Sequence, residues 1–113
     1  MNSPINPSVN VRNNIQVGAI GLAIHYEVRE GYNVLNVSSA SAITVYIERP
    51  DHTLVTSSGS FLTDGTDGII VYNTTGTDIS QDGDYKTQLY FEIPTFKGRT
   101  TVTTFHVYPN LPY

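Results

Sequence analysis

The sequence predicts an all-β fold, an immunoglobulin-like antiparallel β-sandwich of about seven short strands with extended N- and C-terminal segments. Three observations predict it. Apolar residues alternate with polar ones at period two in Leu22–Arg29, Ala42–Arg49 and Asp84–Ile93, as half-buried strands require. Asp-Gly pairs stand at Asp64-Gly65, Asp67-Gly68 and Asp82-Gly83, where glycine's freedom at positive φ makes tight turns cheap. No segment carries the 3.6-residue apolar period of an amphipathic helix.

The elements follow in chain order. Residues 1–14 hold two prolines, five asparagines and few apolar side chains. They read as an extended arm outside the domain, available to a neighbouring subunit through Ile5 and Val9, and removable without loss of the fold. The sandwich is expected over residues 15–108. Ile15–Ile20 is a short first strand. Leu22–Arg29 turns Leu22, Ile24, Tyr26 and Val28 to one face. Glu30–Asn33 is a turn, and Val34–Val37 a short strand or loop anchor. Ala42–Arg49 puts Ile43, Val45 and Ile47 inward until Pro50, which lacks a ladder N–H, stops it. Thr53–Val55 and Ser58–Leu62 read as one weak strand bulged at Gly59. Ile69–Thr74 is a strand, and Gly76–Asp84 crosses to the other sheet. In Asp84–Ile93, Tyr85, Thr87, Leu89, Phe91 and Ile93 face inward. Pro94–Arg99 reads as a hairpin loop, and Thr100–Tyr108 as the last strand with Phe105 and Val107 inward. Residues 109–113 form a tail. The expected core is Ile24, Tyr26, Val45, Ile47, Tyr72, Tyr85, Leu89, Phe91, Phe105 and Val107. Gln81–Tyr85 has the position of a tyrosine corner, with Gln81 where an acidic residue is usual.

Bulk properties narrow the function. The 113 residues fit one domain. Ten acidic residues against six basic give a formal charge of −4, and the basic residues are scattered, which disfavours nucleic acid as a partner. There is no cysteine, hence no disulfide and no thiolate metal site. No apolar run reaches membrane-helix length, and Met1–Asn14 lacks the apolar core of a signal peptide. Charged residues are sparse at 14%, while eight tyrosines are present.

A family resemblance runs over about residues 16 to 111. It is carried by the first strand from Val17-Gly18 to Val28, by Ser39-Ala40, and by Pro50-Asp51-His52-Thr53. Phe61 to Gly68, Ile70-Val71-Tyr72, Thr77-Asp78-Ile79, Gly83-Asp84-Tyr85 with Gln88, and Phe105 to Leu111 complete it. This pattern resembles the small immunoglobulin-like structural proteins of tailed bacteriophages. It is also similar to the N-terminal domain of phage baseplate upper proteins. The resemblance implies a non-enzymatic virion component, assembled in the host cytoplasm and used in many copies among other phage structural proteins. It would sit in the tail, baseplate or fibre connection, or decorate the capsid as a cement protein. A homo-oligomer within the particle is compatible with this. The larger relatives continue into fibre or receptor-binding regions, to which the resemblance here does not extend.

Candidate chemistry is thin. No Gly-x-Ser-x-Gly elbow is present, and Glu27, Glu48 and Glu92 fall on outward positions, so no catalytic residue is assigned. His25 and His106 lie on outward strand positions and would meet only if their strands were neighbours, and without a third ligand no metal site is assigned. Asp64, Asp67, Asp78, Asp82 and Asp84 sit in or beside loops, where turn chemistry competes with calcium binding. No cofactor is expected. The interface candidates are Tyr46, Tyr90, Tyr108 and Tyr113 with Ile5 and Val9, and Tyr90 and Tyr108 are cross-strand neighbours if their strands pair. The alternative class is a carbohydrate- or host-surface-binding module, with calcium as an aid.

Overall fold

The computed structural model describes residues 7–11, 15–76 and 78–109. The fold is all-β, two sheets packed as a sandwich. In chain order the strands are β1 (Ser8–Val11), β2 (Ile15–Gln16), β3 (Ala23–Glu30), β4 (Asn33–Val34), β5 (Ile43–Glu48) and β6 (Leu54–Ser58). They continue as β7 (Ser60–Phe61), β8 (Ile69–Asn73), β9 (Gly83–Ile93), β10 (Phe96–Arg99) and β11 (Thr103–Tyr108).

One sheet runs β1-β3-β8-β7, with β4 on β3; the other runs β2-β11-β9-β5-β6, with β10 on β9. Every pairing is antiparallel except β2 with β11. The N-terminal chain therefore splits between sheets. β1 pairs with β3 in the first, then β2 joins the edge of the second beside β11. This is the strand order of an immunoglobulin-like sandwich.

The core lies between the two inner faces. All ten residues expected there are buried, from Ile24 and Tyr26 through Val45, Ile47, Tyr72, Tyr85, Leu89 and Phe91 to Phe105 and Val107. They are joined by Val9, Ile15, Val28, Val37, Ile70 and Ile79. The tyrosine corner is formed: the Tyr85 hydroxyl donates to the Gln81 carbonyl at 2.6 Å and accepts from the Gln81 N–H at 3.2 Å. The Tyr85 ring stacks on Phe105 with centroids 5.2 Å apart.

Two residues beyond the corner tyrosine, antibody domains place the cysteine that bridges to the opposite sheet. Thr87 holds that place here. Its hydroxyl donates to the Tyr46 carbonyl at 2.8 Å and so accepts the Tyr26 hydroxyl, 2.9 Å away. Tyr26 stands on β3, in the other sheet. A buried Tyr–Thr hydrogen bond thus spans the sandwich where a disulfide would. Burial raises the Tyr26 phenol pKa, so it stays a donor at any ordinary pH.

Four expectations need correction. The arm is not wholly outside the domain: Ser8–Val11 is a strand in register with Tyr26–Arg29, and Val9 is 2% exposed. β3 offers a free edge there, and alternation along four residues buries Val9. The weak strand is not bulged at Gly59. It changes sheets there, β6 pairing with β5 and β7 with β8. A Cβ on Gly59 would lie 2.8 Å from Ile70 Cγ2 and 3.0 Å from Ile43 Cγ2, side chains of the two opposed sheets. Pro94–Arg99 is not a loop: Phe96–Arg99 pairs with Tyr90–Ile93 around a Pro94-Thr95 turn. The β10–β11 break is closed by buried Thr100, whose N–H donates to the Leu89 carbonyl at 2.8 Å while its hydroxyl accepts the Leu89 N–H. Finally, Ile15–Ile20 yields only a two-residue strand, because the chain turns at Gly18, which has φ of +85°.

Candidate contact surfaces

The outer face of the second sheet carries most of the aromatic candidates. Its register sets Tyr46 opposite Gln88, and Tyr90 opposite both Thr44 and Arg99. Tyr46 and Tyr90 are therefore diagonal neighbours on one face. Neither is a bare aromatic. The Arg99 guanidinium lies 4.2 Å from the Tyr46 ring centroid, a cation–π distance. The Tyr90 hydroxyl donates to Glu92 Oε2 at 2.5 Å, and this bond, followed by desolvation, holds its pKa up. Around Tyr46 lies a shallow depression of about 240 Å³, lined by Glu48, Leu54, Lys86, Gln88, Arg99 and Val102 among others.

Tyr108 is 45% exposed and meets His106 edge-on at 4.7 Å. It is not a neighbour of Tyr90. β9 and β11 do pair, but in a register that sets Val107 against Gly83 at one end of β9, while Tyr90 lies near the other. β10 takes the edge position beside Tyr90 that the expectation gave to β11. Val9 is withdrawn as an interface candidate because it is in the domain's own core. Ile5 and Tyr113 lie outside the described residues.

The histidines do not converge. His25 is on β3 in one sheet, and His106 is on β11 in the other, with its Nδ1 2.8 Å from Asp84 Oδ1. Their strands lie in different sheets, so the condition for the two histidines to meet is not fulfilled. The acidic loop residues also separate. Asp64 and Asp67 precede β8, and Asp78, Asp82 and Asp84 follow it, so they sit at opposite ends of that strand. Asp64, Asp67, Asp78 and Asp84 each have local work. Asp64 Oδ1 accepts from the hydroxyl and N–H of Thr66, which lowers its pKa. Asp67 accepts from the Ile69 N–H at 3.0 Å. Asp78 is buried and accepts from the Tyr72 hydroxyl and the Thr75 N–H, with Arg49 Nε donating to its carbonyl. Among the described residues, no three His, Asp or Glu side chains stand close enough together to hold a metal ion.

The Asp64–Gly68 turn is packed, not loose. At Gly68, with φ of +71°, a Cβ would lie 2.5 Å from Val34 Cγ1 and 2.8 Å from the Leu35 carbonyl. Only glycine fits, and the turn pins the β4 hairpin against β8.

One surface was missed by the reading of side chains: the edge strand β6. Arg49 N–H donates to the Thr53 carbonyl at 2.9 Å, and Gly59 N–H to the Ile43 carbonyl at 3.2 Å. In an antiparallel ladder, bonded and non-bonded pairs alternate between those two points. Val55 and Ser57 therefore bond to β5, while the N–H and C=O groups of Leu54, Thr56 and Ser58 point away from it. No strand pairs with that side among the described residues. The signal available in the sequence was the uncharged run Leu54-Val55-Thr56-Ser57-Ser58 itself.

In comparisons with known proteins, no family model and no curated protein matches this chain.

Proposed function

We propose that this chain is a non-enzymatic structural component of a tailed-bacteriophage virion that acts by protein–protein contact. Its place would be the tail, baseplate or fibre connection, or the capsid surface as a decoration protein. The observation that carries this reading is the string of turn and core positions that resembles such proteins. In the fold those positions become the Phe61–Gly68 turn, the Gly83–Tyr85 corner and the closing strand through Phe105 and Val107. They build a rigid domain held by cross-sheet packing and a buried hydrogen bond.

The path of the chain suits insertion between neighbours. Ser8 pairs with Arg29 near the finish of β3, the end where Ser41 N–H also meets the Glu92 carbonyl of β9. Tyr108 lies beyond Gly83, where β9 starts. The described chain thus enters and leaves at opposite ends of the sandwich. Individually small contacts repeated over a symmetric ring or shell gain strength by avidity.

The test is genetic. Disrupting the gene in a phage or prophage that carries it should give particles lacking one component, visible as missing density in a reconstruction. Particles complete in composition and unchanged in density would refute the proposal.

A second reading, a carbohydrate- or host-surface-binding module, is favoured by the depression around Tyr46, where an aromatic floor meets Lys86, Gln88 and Arg99. A calcium-assisted form has no support, since the acidic loops stand apart. A glycan array probed with the purified chain distinguishes the readings. Binding to defined sugars that Tyr46→Ala abolishes would favour the second, and a blank array the first.

A further inference from the structure

We infer that the chain self-associates into a two-fold dimer by antiparallel pairing of β6 with β6 of a second copy, centred on Thr56. This deepens the contact reading above, resting on it only in treating a free sheet edge as a contact surface.

Strand edges in natural β proteins are blunted by charge, proline, bulges or brevity. β1 has four residues, and β2 and β7 have two each. β6 has five, Leu-Val-Thr-Ser-Ser, with none of those devices. Its outward N–H and C=O groups belong to Leu54, Thr56 and Ser58, at alternate positions. Two such edges are self-complementary. With the two-fold axis at Thr56, each threonine bonds its counterpart, and each Leu54 faces Ser58 of the second copy. Thr–Thr is a favourable cross-strand pair. Leu54, 68% exposed, would lose solvent against its new neighbours.

Charge at this edge does not oppose a second copy. Each chain carries a formal charge of −4, so self-contact requires an edge without acidic residues. The nearest acidic side chain on this face is Glu48, one strand back and opposite Leu54. Across the axis its row would continue through Ser58 to Thr44 of the second copy, so no like charges meet. The result is one sheet continuous through two sandwiches, an isologous interface that closes on itself.

Sedimentation or light scattering of the purified chain, from low micromolar to near-millimolar concentration, tests this. The expected result is a rise to twice the chain mass. Thr56→Lys and Ser58→Lys should return the monomer, with thermal melts like the parent's at the low concentrations where the parent is monomeric, and Thr56→Val should keep the dimer. A nitroxide on Thr56→Cys, in a chain with no other cysteine, should read a single short intermolecular distance. A parent monomeric throughout, a dimer surviving both lysine variants, or a spin pair with no short distance would each overturn the inference. A monomeric chain still present in particles would overturn the dimer and leave the virion proposal standing.

Discussion

The N-terminal strands β1 and β2 and the long strand β9 reach the same end by different routes. Val9 on β1 and Ile15 on β2 are as buried as Tyr85, Leu89 and Phe91 on β9. β9 spans eleven residues, and its alternation is strong enough to fix which side faces inward before any partner is known. β1 has four residues and β2 two, divided between sheets. Their burial is decided by the free edges of β3 and β11 that they complete, not by their own pattern. In a long strand, local sequence and tertiary position agree; in a short one, the tertiary partner dictates.

The largest effect expected is on β9. Tyr85→Ala should destabilise the domain by about 3–5 kcal/mol in a denaturant titration, as a buried aromatic cut to alanine. It also loses both corner hydrogen bonds and the Phe105 stack. A loss below about 1 kcal/mol would mean β9 does not anchor the core as the register implies.

Next is β1. Val9→Ala should cost about 1–3 kcal/mol, from the lost apolar burial and the cavity left. Deletion of residues 1–14 should lower stability by more, because it removes the β1–β3 pairing as well. If either change left the melting temperature untouched, the N-terminal segment would again be an arm, and the two regions would not be equivalent.

A subtler test concerns the cross-sheet hydrogen bond. Thr87→Val leaves the buried Tyr26 hydroxyl without its partner and should cost about 1–3 kcal/mol. The pair Tyr26→Phe with Thr87→Val should recover part of that loss, since an apolar pair leaves no stranded donor. A double-mutant cycle with no coupling would show that the hydroxyl bond contributes nothing to joining the sheets.

The smallest effect lies in the loops at the start of β9. Thr53, through its hydroxyl and then its N–H, together with Gln81, draws the Asp51 carboxyl down to about 2. A pKa depressed on folding adds stability that is complete above the ordinary value of 3.8 and is lost as pH falls through about 2. Thermal melts of the parent should therefore fall between about pH 4 and pH 2 more steeply than those of Asp51→Asn. Parallel curves would detach Asp51 from the stability of this end.

Much of the fold was legible. Period two placed the core side chains of β3, β5 and β9, and Asp-Gly pairs placed the turns around β8. What was not legible shares one cause. Gly59 looks the same whether a strand bulges or changes sheets, because only the opposing Ile43 and Ile70 make the difference. Phe96–Arg99 follows a proline and contains a glycine, and it becomes a strand only because β9 extends past β11 and leaves an edge to fill. The contact surfaces were less legible still. Tyr46 and Tyr90 were read on outward strand positions, but that they share one face, and that Arg99 and Glu92 engage them there, is set by the register of β9 with β5 and β10, and no spacing rule shows that. The free edge of β6 is a backbone property, hidden from any search for reactive side chains.

The most direct test of the central claim, that this domain works as a repeated contact element in a particle, is quantitative mass spectrometry of gradient-purified virions from a host carrying the gene. The expected result is the chain in fixed, multi-copy ratio to known structural subunits. Its absence from purified particles, with abundant free chain in the lysate, would contradict the claim.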